Sequence, residues 1–268
     1  MKYTKEKVLL SVRDVNHTYD NTVVLKDINM SILDLVIPGQ ITGQIVSLIG
    51  RSGSGKTTLL RILAGLLKPT TGTVSVGLEQ RPMHVGDMGL VPQDYFLFPW
   101  RTVRSNLENA ARKNPLIKDP KTLKDAVDSY MSAFEIVEHA DKYPSQLSGG
   151  QTQRVSIAQQ LLNGSEFLLM DEPFSGLDSI MIDKTTDLLL RVAQGNELTT
   201  IIIVSHDLVN SVAISDTVFL LSKKNRKPEE GATIVKTIDL MERDLAWHGD
   251  IKKLPAFHDT LDEIKALL

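Results

Sequence analysis

The stretch Gly50-Arg51-Ser52-Gly53-Ser54-Gly55-Lys56-Thr57 constrains this chain more than any other. It fits G-x-x-x-x-G-K-[ST], a pattern whose backbone N–H groups cradle phosphates. Before it, Ile45-Val46-Ser47-Leu48-Ile49 is a short β-branched apolar run that reads as a buried strand. After it, Leu59, Leu60, Ile62, Leu63 and Leu66 recur at helical spacing. The loop therefore joins a strand to a helix, which is the context the motif needs. Glycines let the backbone curl so that successive N–H groups face one anion. A helix beginning near Lys56 adds the positive end of its dipole. Lys56 supplies a mobile point charge for the β- and γ-phosphates. Thr57 offers a hydroxyl oxygen to Mg²⁺, a hard ion that prefers oxygen.

The 268 residues allow one large domain or two modest ones. Hydrophobic content of 42% and charged content of 24% are those of an ordinary soluble globular protein. The formal net charge is −3, whereas a nucleic-acid binder usually carries a basic excess, so no nucleic-acid partner is expected. With no cysteine, disulfides, thiolate metal sites and thiol catalysis are excluded. Met1 to Lys7 carries charges with no apolar segment behind it, so no signal peptide is expected. No run reaches the apolar length that spans a bilayer. Work at a membrane would then be peripheral and through partners.

Val8 to Val15 and Thr22 to Ile32 read as strands of a small antiparallel sheet around a turn at Asp20-Asn21. Tyr19, just before that turn, is either a half-buried strand aromatic or a flat platform for an adenine ring. Leu33 to Gln44, with Pro38-Gly39 and Thr42-Gly43, reads as a loop. The first helix is expected to stop near Lys68-Pro69. Val74 to Val76 and Met88 to Val91 read as short strands, and Gln93 follows the second. From Phe96 to Lys142 helical spacing takes over, in Leu123, Ala126, Val127, Tyr130, Met131 and Phe134, with Pro115 and Pro120 punctuating its start. This segment reads as a helical subdomain inserted into a sheet domain.

Phe167-Leu168-Leu169-Met170 is a buried-strand run ending in Asp171-Glu172, and Thr200-Ile201-Ile202-Ile203-Val204 another, ending in Ser205-His206. Together with the strand before the loop, three apolar strands finish in residues able to handle phosphate, Mg²⁺ or protons. In open α/β sheets ligands bind off the carboxyl ends of the strands. Thr217 to Leu221 adds a strand. Ser222 to Gly231 reads as a solvated hairpin loop or, through its lysines and Arg226, a contact for anionic lipid. Leu261, Ile264, Leu267 and Leu268 mark an amphipathic helix that packs on the core.

Asp171 can hold a Mg²⁺ shell, and the adjacent Glu172 can accept a proton from an attacking water. The plainer alternative is that these acids only cap a strand and a turn. In Leu147-Ser148-Gly149-Gly150-Gln151, Ser148 and Gln151 have capping-box spacing, so a simple helix start is one reading. Two glycines there also leave bare N–H groups that make a second anion site.

The set Tyr19, Gly50 to Thr57, Gln93, Leu147 to Gln151, Leu169 to Pro173, Ser175 to Asp178 and His206 resembles the ABC-type ATPase subunits in order and spacing. The likeness runs from about Val8 to Leu221. It implies an α/β fold: a P-loop (RecA-like) core with an N-terminal antiparallel β subdomain and an inserted α-helical subdomain. Within one domain of residues 1–268, the core would take 1–92 and 165–222, the helical signature subdomain 93–164, and a short extension 223–268. It implies ATP and Mg²⁺ as ligands. Tyr19 would stack on adenine, and Lys56 with the loop backbone would bind phosphates. Thr57, Gln93 and Asp171 would serve the metal, with Thr58 nearby. Glu172 would be the general base and His206 would hold the γ-phosphate. Ser148, Gly149, Gly150 and Gln151 would reach a nucleotide held by a second copy or a homologous ATPase, with Asp178 at the seam.

Phe98-Pro99-Trp100-Arg101-Thr102-Val103 is similar to a stretch in ATPases of the nitrate, sulfonate and taurine importers. Phe98 and Trp100 would there dock transmembrane permease subunits, unless they are subdomain core. The implied protein is a peripheral ATPase on the cytoplasmic face of the membrane, serving a permease and, indirectly, a solute-binding protein. The alternatives are an exporter or lipid-transport ATPase, a non-transport ATP-gated clamp, and a phosphoryl-transfer kinase, which would need an acceptor pocket and no LSGGQ. Gln159 stands where the family commonly has Arg, and Leu33 to Gln44 is several residues longer than is usual.

Overall fold

The computed structural model describes residues 3–37, 43–195, 199–223 and 230–268. Two sheets organise it. The first has the order β2-β1-β4-β5, all antiparallel, with β1 at Thr4–Tyr19, β2 at Thr22–Val36, β4 at Thr71–Val76 and β5 at Arg81–Pro82. The expected turn at Asp20-Asn21 joins β1 to β2, with Tyr19 paired to Thr22. The second has the order β10-β9-β3-β8-β7-β6. Its strands β3 (Gln44–Ile49), β6 (Met88–Val91), β7 (Phe167–Asp171), β8 (Thr200–Ser205) and β9 (Thr217–Ser222) run parallel, and β10 (Thr233–Asp239) is antiparallel at the edge.

The central parallel strands read as continuous apolar runs because both of their faces are covered. Val46 and Leu48 of β3, Leu169 of β7, and Ile202 and Val204 of β8 join one core with the first sheet and with α1 (Lys56–Leu63). Ile45, Leu168, Met170, Ile201 and Ile203, one residue out of phase, join a second core. Its helices are α2 (Val103–Ala111), α3 (Pro120–Ala133), α4 (Gly149–Leu162) and α5 (Ser179–Gln194). A third core packs α6 (Leu208–Ile214) and α7 (Pro255–Leu267) over β9, through Val212, Phe257, Leu261 and Ile264. The expected C-terminal amphipathic helix is therefore present and buries its apolar face.

Two expectations are corrected. The Leu33 to Gln44 segment is not a loop throughout: β2 continues to Val36, where Leu33 pairs with Val8 and Leu35 with Lys5, and Gln44 already belongs to β3. Its Pro38-Gly39 and Thr42 lie outside the described residues, as do 224–229 of the Ser222 to Gly231 segment. The first helix stops at Leu63 rather than near Lys68. Gly65 turns into the left-handed region at φ 70°, the usual way to end a helix, and leaves Leu66 55% exposed despite its matching spacing.

Asp216, between α6 and β9, is buried, and its Oδ2 accepts the Ile45 N–H at 2.7 Å. Burial pushes its carboxyl up to about 7, against the pull of that N–H. An acid whose pKa is raised by folding favours the native state most below its unfolded value near 3.8, and loses that contribution as pH rises through 7. The Asp216 contribution to stability therefore falls between about pH 4 and pH 7. Asp216→Asn keeps an acceptor for Ile45 and has no charge to bury, so it flattens this fall by up to about 4 kcal/mol. Denaturant midpoints of both proteins across that range check it.

Candidate nucleotide and catalytic site

Strands β3, β7 and β8 lie side by side and end together, so the phosphate loop, Asp171-Glu172 and Ser205-His206 emerge at one edge of the sheet. Ile49 pairs with Ser205, and Asp171 with Val204.

The loop leaves β3 at Gly50. A Cβ there would sit 2.5 Å from the Leu221 carbonyl oxygen, so only glycine fits against β9. Gly55, at φ 91°, is the residue before α1, and no side chain caps that helix. The first-turn N–H groups are thus left for an anion. The Ser54 hydroxyl is buried with no hydrogen-bond partner. Lys56 is buried and folds back on the loop, its Nζ donating to the carbonyls of Gly50 at 2.8 Å and Arg51 at 3.2 Å. Burial lowers its pKa, and the charges of Glu172 and Asp171 raise it in part. Burial raises the pKa of Asp171, and the Glu172 charge raises it further, while Lys56 and Arg61 pull it down. Lysine and the two acids therefore share one field. Arg51, Ser52, Gly53 and Thr57 are exposed around the loop, and Thr58 is half-buried.

A bare loop with an unsatisfied buried hydroxyl, an uncapped helix and a buried lysine fits a triphosphate. For Mg²⁺ the donors on offer are hard oxygens: the Thr57 hydroxyl, the Gln93 amide oxygen and the Asp171 carboxylate. No cluster of three metal-ligating acids or histidines occurs among the described residues.

Glu172 stands one residue past β7 with φ 50°, a left-handed conformation that non-glycine residues adopt only where their surroundings enforce it. Its carboxylate Oε1 meets Nδ1 of His206 at 2.8 Å, and Oε2 accepts from the Ser205 hydroxyl at 2.7 Å. The structure thus brings Glu172 and His206 together. Gln93, exposed after β6, donates weakly to the Ser175 hydroxyl at 3.4 Å. Tyr19 is 41% exposed at the end of β1, its ring edge-on to His17 at 4.5 Å.

Ser148 and Gln151 form the full capping box: the Ser148 hydroxyl accepts from Gln151 N, and Gln151 Oε1 accepts from Ser148 N at 2.9 Å. Gly149 is open, while a Cβ on Gly150 would strike the Met181 methyl at 2.1 Å. Asp178 caps α5, accepting from Met181 N at 2.8 Å. Ser148 to Gln151 and Asp178 therefore make their hydrogen bonds within their own helix starts, not to the loop of the same chain. One residue is not marked by the sequence. Gln153, 1% exposed, donates to Pro173 O at 3.0 Å and accepts from Thr185 at 3.1 Å, tying α4 to the turn after Glu172 and to α5. Ser205, expected as the polar end of its strand, has a partner the sequence does not show, the Glu172 carboxylate. Both have partners far away in sequence, and no local pattern marks those contacts.

Fold and site together define a P-loop ATPase. Residues 40–175 match the model of the ABC transporter family. The nitrate import ATP-binding protein of Synechocystis sp. is 35% identical over 97% of this chain and 94% of its own length. An aliphatic sulfonates import ATP-binding protein of Pseudomonas fluorescens is 35% identical over 79% of this chain and 73% of its own. Some longer relatives are matched over about half or less of their length. A dimeric ATP-binding cassette in a post-hydrolysis state with ADP and Pi superposes with a TM-score of 0.69 at 27% identity, over 87% of this chain and 99% of that one. The chain belongs to the ABC transporter family and is an ATP-binding, ATP-hydrolysing subunit of the importer type.

Proposed function

We propose that this ATPase energises import of a small oxyanion of the nitrate or sulfonate kind. Similarity to a nitrate import ATP-binding protein along nearly the whole of both chains carries this reading. Its partners are a second copy or a homologous ATPase, permease subunits, and a solute-binding protein indirectly, with the chain seated on the cytoplasmic face of the membrane. Among the described residues no helix is long and apolar enough to cross a membrane. Residues 1–92 and 165–222 form the nucleotide-binding core, 93–164 the signature arm and 223–268 an extension.

The reaction follows from the site. Lys56, the loop N–H groups and Thr57 hold the triphosphate, and Thr57, Gln93 and Asp171 would hold a Mg²⁺ ion, which would supply charge neutralisation. Glu172 takes a proton from water aligned with the γ-phosphorus, and His206 steadies the γ-phosphate. Tyr19 offers its exposed face to adenine. Ser148 to Gln151 and Asp178 complete the site of the opposite copy. Catalysis is positioning plus electrostatics.

Uptake into proteoliposomes containing the ATPase and its permease tests the import reading. ATP-driven accumulation of nitrate or an alkanesulfonate is expected; hydrolysis with efflux, or with neither anion moved, would refute it.

The docking reading rests on a rigid loop. Buried Asn106 accepts from Phe98 N at 2.8 Å and donates to the carbonyls of Phe98, Arg101 and Thr102. Trp100 stands 70% exposed on that loop, its ring 5.5 Å from half-buried Phe98. Trp100→Ala is expected to weaken association with the permease about tenfold or more without lowering the melting temperature. Unchanged affinity in a detergent pull-down would remove Trp100 from the interface.

A further inference from the structure

Ser205 ends β8, the strand between the loop strand β3 and the acid-bearing strand β7. It is fully buried. A serine hydroxyl has one proton to donate and lone pairs with which to accept. Here the Asp207 N–H donates to Oγ at 3.0 Å, and Oγ donates its proton to Glu172 Oε2 at 2.7 Å. The His206 backbone N–H also reaches Oε2, at 3.2 Å. The other oxygen, Oε1, meets the His206 ring, whose side chain is 62% exposed. The two oxygens are therefore unlike: rigid strand holds one, and a solvent-facing ring covers the other.

We propose that Ser205 is a positioning residue that divides the labour of the Glu172 carboxylate, anchoring Oε2 so that Oε1 receives the proton. This rests on the reading of Glu172 as general base. In the step, an O–H bond of water breaks and its proton joins Oε1. The water oxygen bonds to the γ-phosphorus, and the bond to the bridging oxygen breaks with its electron pair leaving on ADP. The His206 ring must first quit Oε1, which frees it for the γ-phosphate. Without its anchor the carboxylate could rotate and present either oxygen, at a poorer angle. A merely structural serine would instead serve only the Asp207 N–H at the start of α6.

The test is a cycle of Ser205→Ala and Glu172→Gln, read by single-turnover ATP hydrolysis, affinity for a fluorescent ATP analogue, and melting temperature. Ser205→Ala is expected to slow hydrolysis about tenfold with analogue affinity unchanged. In the Glu172→Gln background the same change has almost no effect, because no base remains to be placed. Ser205→Thr, which keeps the hydroxyl, recovers most of the rate; should it melt early, the cycle alone decides. Wild-type hydrolysis by Ser205→Ala, or an equal loss in both backgrounds, overturns the assignment while leaving Glu172 as base. Wild-type hydrolysis by Glu172→Gln removes the base reading and this inference with it.

Discussion

Glu172→Gln is expected to slow ATP turnover about 10²–10⁴-fold, the range a positioned general base contributes. Glutamine keeps the shape and an acceptor for the Ser205 hydroxyl, but it cannot take a proton. The left-handed backbone at Glu172 and the Ser205 bond to Oε2 do not depend on the charge, so the variant should fold and bind ATP. With hydrolysis blocked and binding intact, ATP and Mg²⁺ should hold two copies together. Single-turnover hydrolysis checks the first half, and light scattering after gel filtration checks the second. An unchanged single-turnover rate would take the base role from Glu172.

Lys56→Ala should weaken ATP binding and cut turnover, each by about 10²–10³-fold, as expected when a buried charged donor to a reacting oxyanion is lost. Lys56 donates to the carbonyls of Gly50 and Arg51, and burial disfavours its charge. A triphosphate relieves that disadvantage by supplying anionic oxygens, so ligand and lysine gain together. Lys56→Arg should not rescue, because a planar guanidinium cannot replace a compact ammonium between two loop carbonyls. Isothermal titration with a non-hydrolysable ATP analogue, beside steady-state rates, measures both effects. Affinity within a few-fold of wild type in the alanine variant would contradict the role.

The parallel strands were legible because strands covered on both faces need unbroken apolar runs, as in Ile45 to Ile49 and Thr200 to Val204. The loop and the acids at the strand ends were legible because phosphate chemistry demands those residue types at fixed spacing. Helix α4 is legible from its capping box and from Val155, Ile157, Ala158, Leu161 and Leu162, although it also buries Gln153, Ser156 and Gln159, which blurs its apolar stripe. The end of the first helix is hidden in the sequence because Leu66 fits the spacing while Gly65 breaks the backbone. The reach of β2 to Val36 was hidden by the Pro-Gly signal that follows it, though Leu33 and Leu35 still pair with β1. The anchoring of Glu172 by Ser205, 33 residues away, appears only when β7 and β8 are set side by side.

The central claim is that one nucleotide is gripped by the loop of one molecule and the Ser148 helix start of another. The chain has no cysteine, so single cysteines can be placed without background. Ser52→Cys and Ser148→Cys, each made in the Glu172→Gln protein, can be mixed and treated with a short bismaleimide. The account predicts a cross-linked dimer that forms only when both variants, ATP and Mg²⁺ are present together. A mixture that stays monomeric under those conditions would contradict it.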